Sequence, residues 1–215
     1  MKISAVELWT VVVPTIPGRV HSPELVPETG WDQVPKQIIR LVTDTELYGI
    51  GETHRGVTIE EARQGAALLL GRQPERVTLQ DIYGTPQDGS ETGIEVGSGP
   101  AYDAFEMALF DLVGRIYGVP VHALLGGAVR DRVRADYWMG QQTPEHSKRS
   151  VERALSLGFT GVKIKCRLED PMVERLQAIL AVAGPAFKVT VDPNERFYTA
   201  AATIALAQQL AALGN

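Results

Sequence analysis

The apolar stretches near the amino terminus predict an antiparallel meander. Residues 2–13 and 37–43 are rich in β-branched side chains, and a turn near Asp44 leads into Gly49-Ile-Gly-Glu-Thr53. A long segment that contains several prolines, Pro14–Pro35, separates the first two strands. A connection of more than about 15 residues inside a compact domain is usually functional or disordered. The tryptophan and the histidine in this segment favour a functional loop.

Apolar residues at spacings of three and four predict two helices in the middle of the chain. The first begins at Thr58 and ends at Gly71, and the second runs from Pro100 to Tyr117 and ends at Gly118. Residues 78–99 between them are rich in turn-forming residues, and we expect an irregular segment there.

After residue 131 the pattern changes to strands that alternate with helices. The predicted strands are 134–139, 162–166 and 188–191, and the predicted helices are 143–157, 171–183 and 199–213. Such alternation with short connections is typical of a parallel sheet covered by helices. We therefore expect two domains, an α+β domain over residues 1–130 and a βα domain over residues 131–215.

Composition and charge narrow the range of functions. The 215 residues carry 21 basic and 26 acidic side chains, so the formal net charge is −5, and 44% of the residues are hydrophobic. This balance argues against a nucleic-acid partner. No apolar stretch approaches the ~18 residues of a membrane span, and the amino terminus lacks the apolar core of a signal peptide. The single cysteine, Cys166, excludes an intrachain disulfide and fits the cytoplasm.

Polar side chains occur at matching positions on two of the predicted parallel strands. Because side chains at i and i+2 share one face of a strand, Lys163 and Lys165 project together. One βα unit later, Asp192 and Asn194 share a face in the same way. Both pairs lie at the carboxyl ends of their strands, where α/β barrels build their active sites.

Two adjacent lysines are suited to proton abstraction. A free lysine is protonated near neutral pH, but a second ammonium group and partial desolvation lower the pKa of an amine. Lys165 is therefore the candidate base, and Lys163 would tune it. A proton next to a carboxylate is very weakly acidic, so a divalent cation would be needed to stabilise the enediolate. Asp192 is a hard oxygen ligand suited to Mg²⁺, and Asn194 would either hydrogen-bond the substrate or support the metal site.

Each motif also has a simpler explanation. Alternating lysine and apolar residues describe an exposed edge strand, and Asp192-Pro-Asn194 is a good turn sequence. An unrelated barrel could also use Lys165 to form a Schiff base with a carbonyl substrate. The occurrence of both motifs at the ends of consecutive strands favours the proton-abstraction hypothesis.

Five motifs in order resemble the mandelate racemase/muconate lactonizing enzyme branch of the enolase superfamily. They are Gly49–Thr53, Ala104–Leu112, Gly118–Gly127, Lys163-Ile-Lys165 and Asp192-Pro-Asn194. The resemblance implies an α+β capping domain followed by a TIM-type (β/α) barrel. It implies that Lys165 is the base, that Asp192 is the first metal ligand, that Mg²⁺ is the cofactor and that the substrate is a small carboxylate. It also leads us to expect a homo-oligomer at full length.

The resemblance further implies that Pro14–Pro35 is a loop that closes over the substrate. Arg19, His21 and Trp31 are then candidate specificity residues, although they can equally be ordinary loop residues. The length and polarity of this loop favour an acid-sugar dehydratase or a hydroxy-acid racemase. A cycloisomerase or a dipeptide epimerase of the same family is the alternative.

The resemblance covers three of the eight βα units that a TIM-type barrel contains in ~250 residues. In the family, two further acidic metal ligands and a second catalytic group come from later strands. We therefore expect a truncated barrel that is inactive as 215 residues. The alternative from another class is a truncated non-catalytic paralogue that serves as a binding or assembly module.

Overall fold

The structure, a computed structural model, describes residues 1–16, 20–25, 33–77, 101–194 and 196–214. The chain divides into two compact units. The first unit comprises Met1–Pro14 and Gln33–Asp131, and the second comprises Thr15–Asp32 and Arg132–Asn215. The segment between the first two strands therefore belongs to the second unit, although the strands themselves belong to the first.

The first unit contains an antiparallel sheet in the order β1-β2-β3. Its strands are β1 (Ile3–Pro14), β2 (Gln33–Thr43) and β3 (Tyr48–Glu52). The predicted start of the second strand at residue 37 was wrong, because β2 begins at Gln33 and Pro35 pairs with Val12 of β1. Since β3 pairs with β2 only from Ile38 onwards, no strand among the described residues pairs with Pro35 on its other side, and a proline is tolerated there.

Among the described residues, three α-helices accompany this sheet: α1 (Ile59–Leu69), α2 (Tyr102–Tyr117) and α3 (Val121–Leu124). The buried residues of the unit form one core between the sheet, α1 and α2, and it includes Ile3, Ile39, Leu41, Leu69, Phe105, Leu109 and Leu112. Helix α2 lies so close to β3 that a Cβ atom on Gly51 would stand 1.9 Å from the Ala104 carbonyl oxygen. The close packing of α2 on β3 therefore requires a residue without a side chain at position 51.

The second unit contains a parallel sheet in the order β4-β5-β6. The elements follow one another as β4 (Tyr137–Met139), α4 (Pro144–Ser156), β5 (Gly161–Lys165), α5 (Met172–Ala183), β6 (Lys188–Asp192) and α6 (Ala200–Ala211). The predicted alternation is confirmed, but β4 is shorter than expected. The pairing of β4 with β5 begins at Tyr137 and Val162, and in the described part of the chain no strand pairs with the residues before Tyr137.

The side chains of β5 divide between the two faces of the sheet. Val162, Ile164 and the following Cys166 are buried in a core with residues of α4 and α5. Lys163 and Lys165 are only half-buried, which agrees with their projection from the opposite face. In the described part of the chain, no helix is both long and apolar enough to cross a lipid bilayer.

Candidate active site

Both lysines of β5 bind the same carboxylate oxygen on β6. Lys163 Nζ lies 2.7 Å from Asp192 Oδ2, and Lys165 Nζ lies 2.6 Å from it. The strand register explains this meeting, because Lys165 pairs with Asp192 while Lys163 pairs with Thr190 two residues earlier. The three side chains that the sequence indicated therefore form one cluster at the carboxyl ends of β5 and β6.

Asn194 completes the cluster from the turn that follows β6. Its backbone has a positive φ of 45°, a conformation in which asparagine is better tolerated than most residues. Its backbone N–H donates to Asp192 Oδ1 over 3.1 Å, and its side-chain oxygen accepts a hydrogen bond from the Lys165 amine. Asp192-Pro-Asn194 is thus both a turn and a part of the site.

The lysines hold Asp192 in its ionised form. Hydrogen bonds from Lys163 and then Lys165, with a smaller contribution from the Asn194 N–H, keep the pKa of the Asp192 carboxyl well below its usual range. The Asp192 side chain is 22% exposed, against 42% for Lys163 and 28% for Lys165. The cluster therefore combines two cations with one anion and is open to solvent.

Cys166 follows the candidate base in sequence, but its side chain lies on the opposite face of the strand, in the core. Its thiol is buried, and this burial raises its pKa to about 12. A thiolate is the reactive form of cysteine, so a thiol with this pKa remains protonated and unreactive near neutral pH. The residue belongs to the core of the second unit.

A stretch of the segment between β1 and β2 is attached to the same end of the second unit. Ser22 is fully buried, and its N–H donates to the Gln141 carbonyl over 2.9 Å. Its hydroxyl accepts a hydrogen bond of 2.9 Å from the Thr143 N–H and shares another with His146 Nδ1. These contacts join Ser22 to the segment between β4 and α4 and to the first turn of α4.

Sequence reasoning missed this attachment. Ser22 and His146 are 124 residues apart, and no local pattern connects them. The one available signal is Gly140, where a Cβ atom would stand 1.7 Å from the Val20 carbonyl oxygen. Of the predicted loop candidates, His21 is half-buried beside Ser22, whereas Arg19 and Trp31 lie outside the described residues.

The cluster fits one ligand position of a magnesium site. Asp192 is an ionised oxygen donor, as Mg²⁺ requires, but this ion prefers about six oxygen ligands in octahedral geometry. Among the described residues there is no group of three or more histidine, cysteine or acidic side chains that could hold a metal ion. The described residues therefore supply a single carboxylate at this position.

No protein-family model matches the chain, but individual proteins do. A protein from Streptomyces coelicolor named as a probable glucarate dehydratase is 29% identical over 228 residues, covering 87% of this chain and 53% of the relative. A D-galactonate dehydratase from Ralstonia nicotianae is 31% identical over 176 residues, covering 74% of this chain and 44% of the relative. The chain thus spans about half the length of the curated relatives it matches.

Solved structures agree with this result. The L-Ala-D/L-Glu epimerase from Bacillus subtilis superposes with a TM-score of 0.79 at 24% identity, covering 100% of this chain and 59% of the epimerase. The order of an α+β unit and a parallel βα unit along the chain is therefore the fold of the matching part of that epimerase. The chain belongs to the enolase superfamily, in its mandelate racemase/muconate lactonizing enzyme branch, which confirms the resemblance.

Proposed function

We propose that this chain carries the base and the first metal ligand of an enzyme that removes the proton next to the carboxylate of an acid sugar. The observation that carries the proposal is the shared contact of Lys163 and Lys165 with Asp192 at the strand ends. In a parallel α/β sheet this edge is where substrates bind.

Lys165 is the better candidate for the base. A base must be held within reach of the proton that it abstracts, and the Lys165 amine is held by both Asp192 and Asn194. In its neutral form, the Lys165 amine would accept the α-proton while the electron pair of the C–H bond moves towards the substrate carboxylate. Mg²⁺ bound by Asp192 would stabilise the negative charge that develops there. Lys163, which also contacts Asp192, would add a second positive charge near the substrate carboxylate.

An acid sugar is the preferred substrate class because of the relatives. The curated relatives at 28–32% identity are named as dehydratases of glucarate and galactonate. In the dehydratase reaction, the hydroxyl on the carbon next to the deprotonated one leaves as water. A hydroxy-acid racemase, a cycloisomerase and a dipeptide epimerase share the proton abstraction and differ in the fate of the enediolate.

The test is exchange of the substrate α-proton with solvent deuterium, followed by NMR, for the protein translated from its complete coding sequence. D-galactonate and glucarate are the first substrates, each with Mg²⁺. Lys165→Ala should slow the exchange at least ~100-fold, since general base catalysis contributes roughly 10²–10⁴. Lys188→Ala is the matched control, because Lys188 lies exposed at the opposite end of the adjacent strand. Unchanged exchange in Lys165→Ala would refute the assignment of the base.

A non-catalytic binding or assembly module is the second candidate. It is supported by the cluster in the described part of the chain, which offers one carboxylate, because a lone ligand holds Mg²⁺ weakly. It would be supported by a coding sequence that stops after Asn215, with a folded product that neither binds Mg²⁺ in calorimetry nor exchanges the α-proton. Millimolar or tighter Mg²⁺ binding with substrate exchange would exclude it.

A further inference from the structure

A buried arginine, Arg175, contacts the main chain of Lys165. Arg175, in the first turn of α5, has an exposed fraction of 0%. Burial lowers the pKa of its guanidinium, and the nearby Asp170 carboxylate opposes this effect. Arginine remains charged in proteins even so, and a buried charge is costly unless its donors are satisfied. The position of Arg175 therefore depends on the groups that it contacts.

The guanidinium donates hydrogen bonds to three separate segments of the second unit. Nη1 donates to the Lys165 carbonyl over 2.9 Å, and Nη2 donates to the Gly140 carbonyl over 2.9 Å. Nε donates to the Ser147 hydroxyl over 3.0 Å. Two of the three acceptors are main-chain carbonyls at the ends of neighbouring strands, and one of these belongs to the candidate base itself.

These two carbonyls lie where the ladder between β4 and β5 stops. The last paired residues are Met139 and Ile164, so Gly140 and Lys165 are the next residues on the two strands. A planar guanidinium with five donors can bridge two carbonyls at fixed spacing, which a lysine amine cannot do with the same geometry. Arg175 thus joins the strands one residue beyond their last main-chain pair.

The loop that follows β5 is fixed beside the same arginine. The Asp170 carboxylate accepts the Arg167 N–H over 2.9 Å and the Gln141 side-chain amide over 3.1 and 3.2 Å. Asp170 Oδ2 lies 3.9 Å from Arg175 Nη1, beyond hydrogen-bond distance but near enough for charge attraction. Lys165 is therefore held at its carbonyl by Arg175 and at its amine by Asp192.

We propose that Arg175 is a positioning residue for Lys165. By joining the Lys165 carbonyl to the Gly140 carbonyl, it fixes the strand end from which the Lys165 amine reaches Asp192. The positioning is catalytic only if Lys165 is the base, and in this respect it rests on the proposed function. Misplacement of a reacting group by about 1 Å can cost roughly 100-fold in rate, so the bridge would matter for proton abstraction.

The experiment compares Arg175→Lys and Arg175→Met with Ile179→Val in the full chain. Ile179 is fully buried on the same helix, and its truncation loosens the core without touching Lys165. The readout is the ¹⁵N-detected signal of the Lys165 ammonium group at one fixed pH, assigned by its loss in Lys165→Arg. A lysine ammonium gives such a signal only while an ion pair protects it from rapid exchange with water.

We expect the Lys165 signal to be present in the wild type and in Ile179→Val, and lost or broadened at least tenfold in folded Arg175→Lys. A retained signal in folded Arg175→Lys would overturn the proposal. If Arg175→Lys and Arg175→Met both fail to fold while Ile179→Val folds, the proposal is also overturned, because Arg175 would then support the whole unit rather than the strand end.

This readout does not depend on catalysis. If the signal is lost as expected but the protein from its complete coding sequence exchanges no α-proton, the proposed function fails and the positioning of Lys165 stands. If the protein does exchange the α-proton, Arg175→Lys should slow this exchange at least tenfold, and Ile179→Val should leave it within twofold.

Discussion

Lys165 Nζ lies 2.6 Å from Asp192 Oδ2, and the two residues are direct partners in the ladder between β5 and β6. In a parallel ladder the register decides which side chains stand opposite each other, so a slip of one residue would move one of them to the other face. The contact therefore depends on the pairing of the two strands as much as on the identities of the residues.

Asp192→Asn should destabilise the second unit at neutral pH by about 1 kcal/mol, the upper range for exposed ion pairs. The variant keeps the shape of the side chain but leaves two ammonium groups without their shared anion. Urea unfolding at pH 7 measures the difference. Asn194→Gly is the control, because it removes one contact of Lys165, tolerates the positive φ of this position and leaves the charge in place.

The difference in stability between the wild type and Asp192→Asn should depend on pH in a defined way. The pKa of Asp192 is lowered in the folded state, so its contribution is fully present above the unfolded value of about 3.9. It is lost as the pH falls through the lower folded pKa. The stability difference between the wild type and Asp192→Asn should therefore be constant from pH 7 to about pH 4.5 and narrow below about pH 4. A constant difference down to the acid transition would contradict the ion pairs.

Ser22→Ala should release the attachment of the segment between β1 and β2. The change removes the acceptor of the Thr143 N–H and the partner of His146 Nδ1. A buried hydrogen bond contributes about 1 kcal/mol, so the Thr143 amide should exchange with deuterium roughly five- to tenfold faster in NMR. Ser156→Ala, which lies at the exposed end of the same helix, should leave the Thr143 amide unchanged.

Gly51→Ala should destabilise the first unit by more than ~2 kcal/mol, since an added methyl group in a fully packed position forces the backbone to move. Its Cβ atom would meet the Ala104 carbonyl oxygen at 1.9 Å. The neighbouring Ile50→Ala is the control, because Ile50 is 43% exposed and its truncation should cost much less. Thermal unfolding followed by circular dichroism separates the two, and equal losses would show that α2 does not pack closely on β3.

Cys166 should react with a disulfide reagent only when the second unit opens. Its pKa of about 12 and its burial leave almost no accessible thiolate at pH 8. The labelling rate in the native protein should be at least ~100-fold below that in urea. In Cys166→Ser with Ser156→Cys, the new thiol is exposed and should react at once. Rapid labelling of native Cys166 would show that this side chain does not face the core.

Local patterns accounted for most of the elements. Thr58 and Thr143 precede the helices α1 and α4, where the sequence predicts the helices to begin, and their side chains accept hydrogen bonds from backbone N–H groups of the first turn. Helix caps and the periodicity of apolar residues involve neighbours within about four positions, so the sequence contains them directly. The start of β2 was missed, because a proline normally argues against a strand, and among the described residues Pro35 pairs with β1 alone.

By itself, the sequence determined the order of strands and helices, the shared face of Lys163 and Lys165, and the position of Asp192 one βα unit later. Only the tertiary structure decided that both amines bind one carboxylate oxygen, that Ser22 meets His146, and that Arg175 bridges two strand ends. The physical reason is the range of the interactions. Periodicity and capping are encoded among near neighbours, whereas these contacts join residues 10 to 124 positions apart, and strand register and helix packing bring such residues together.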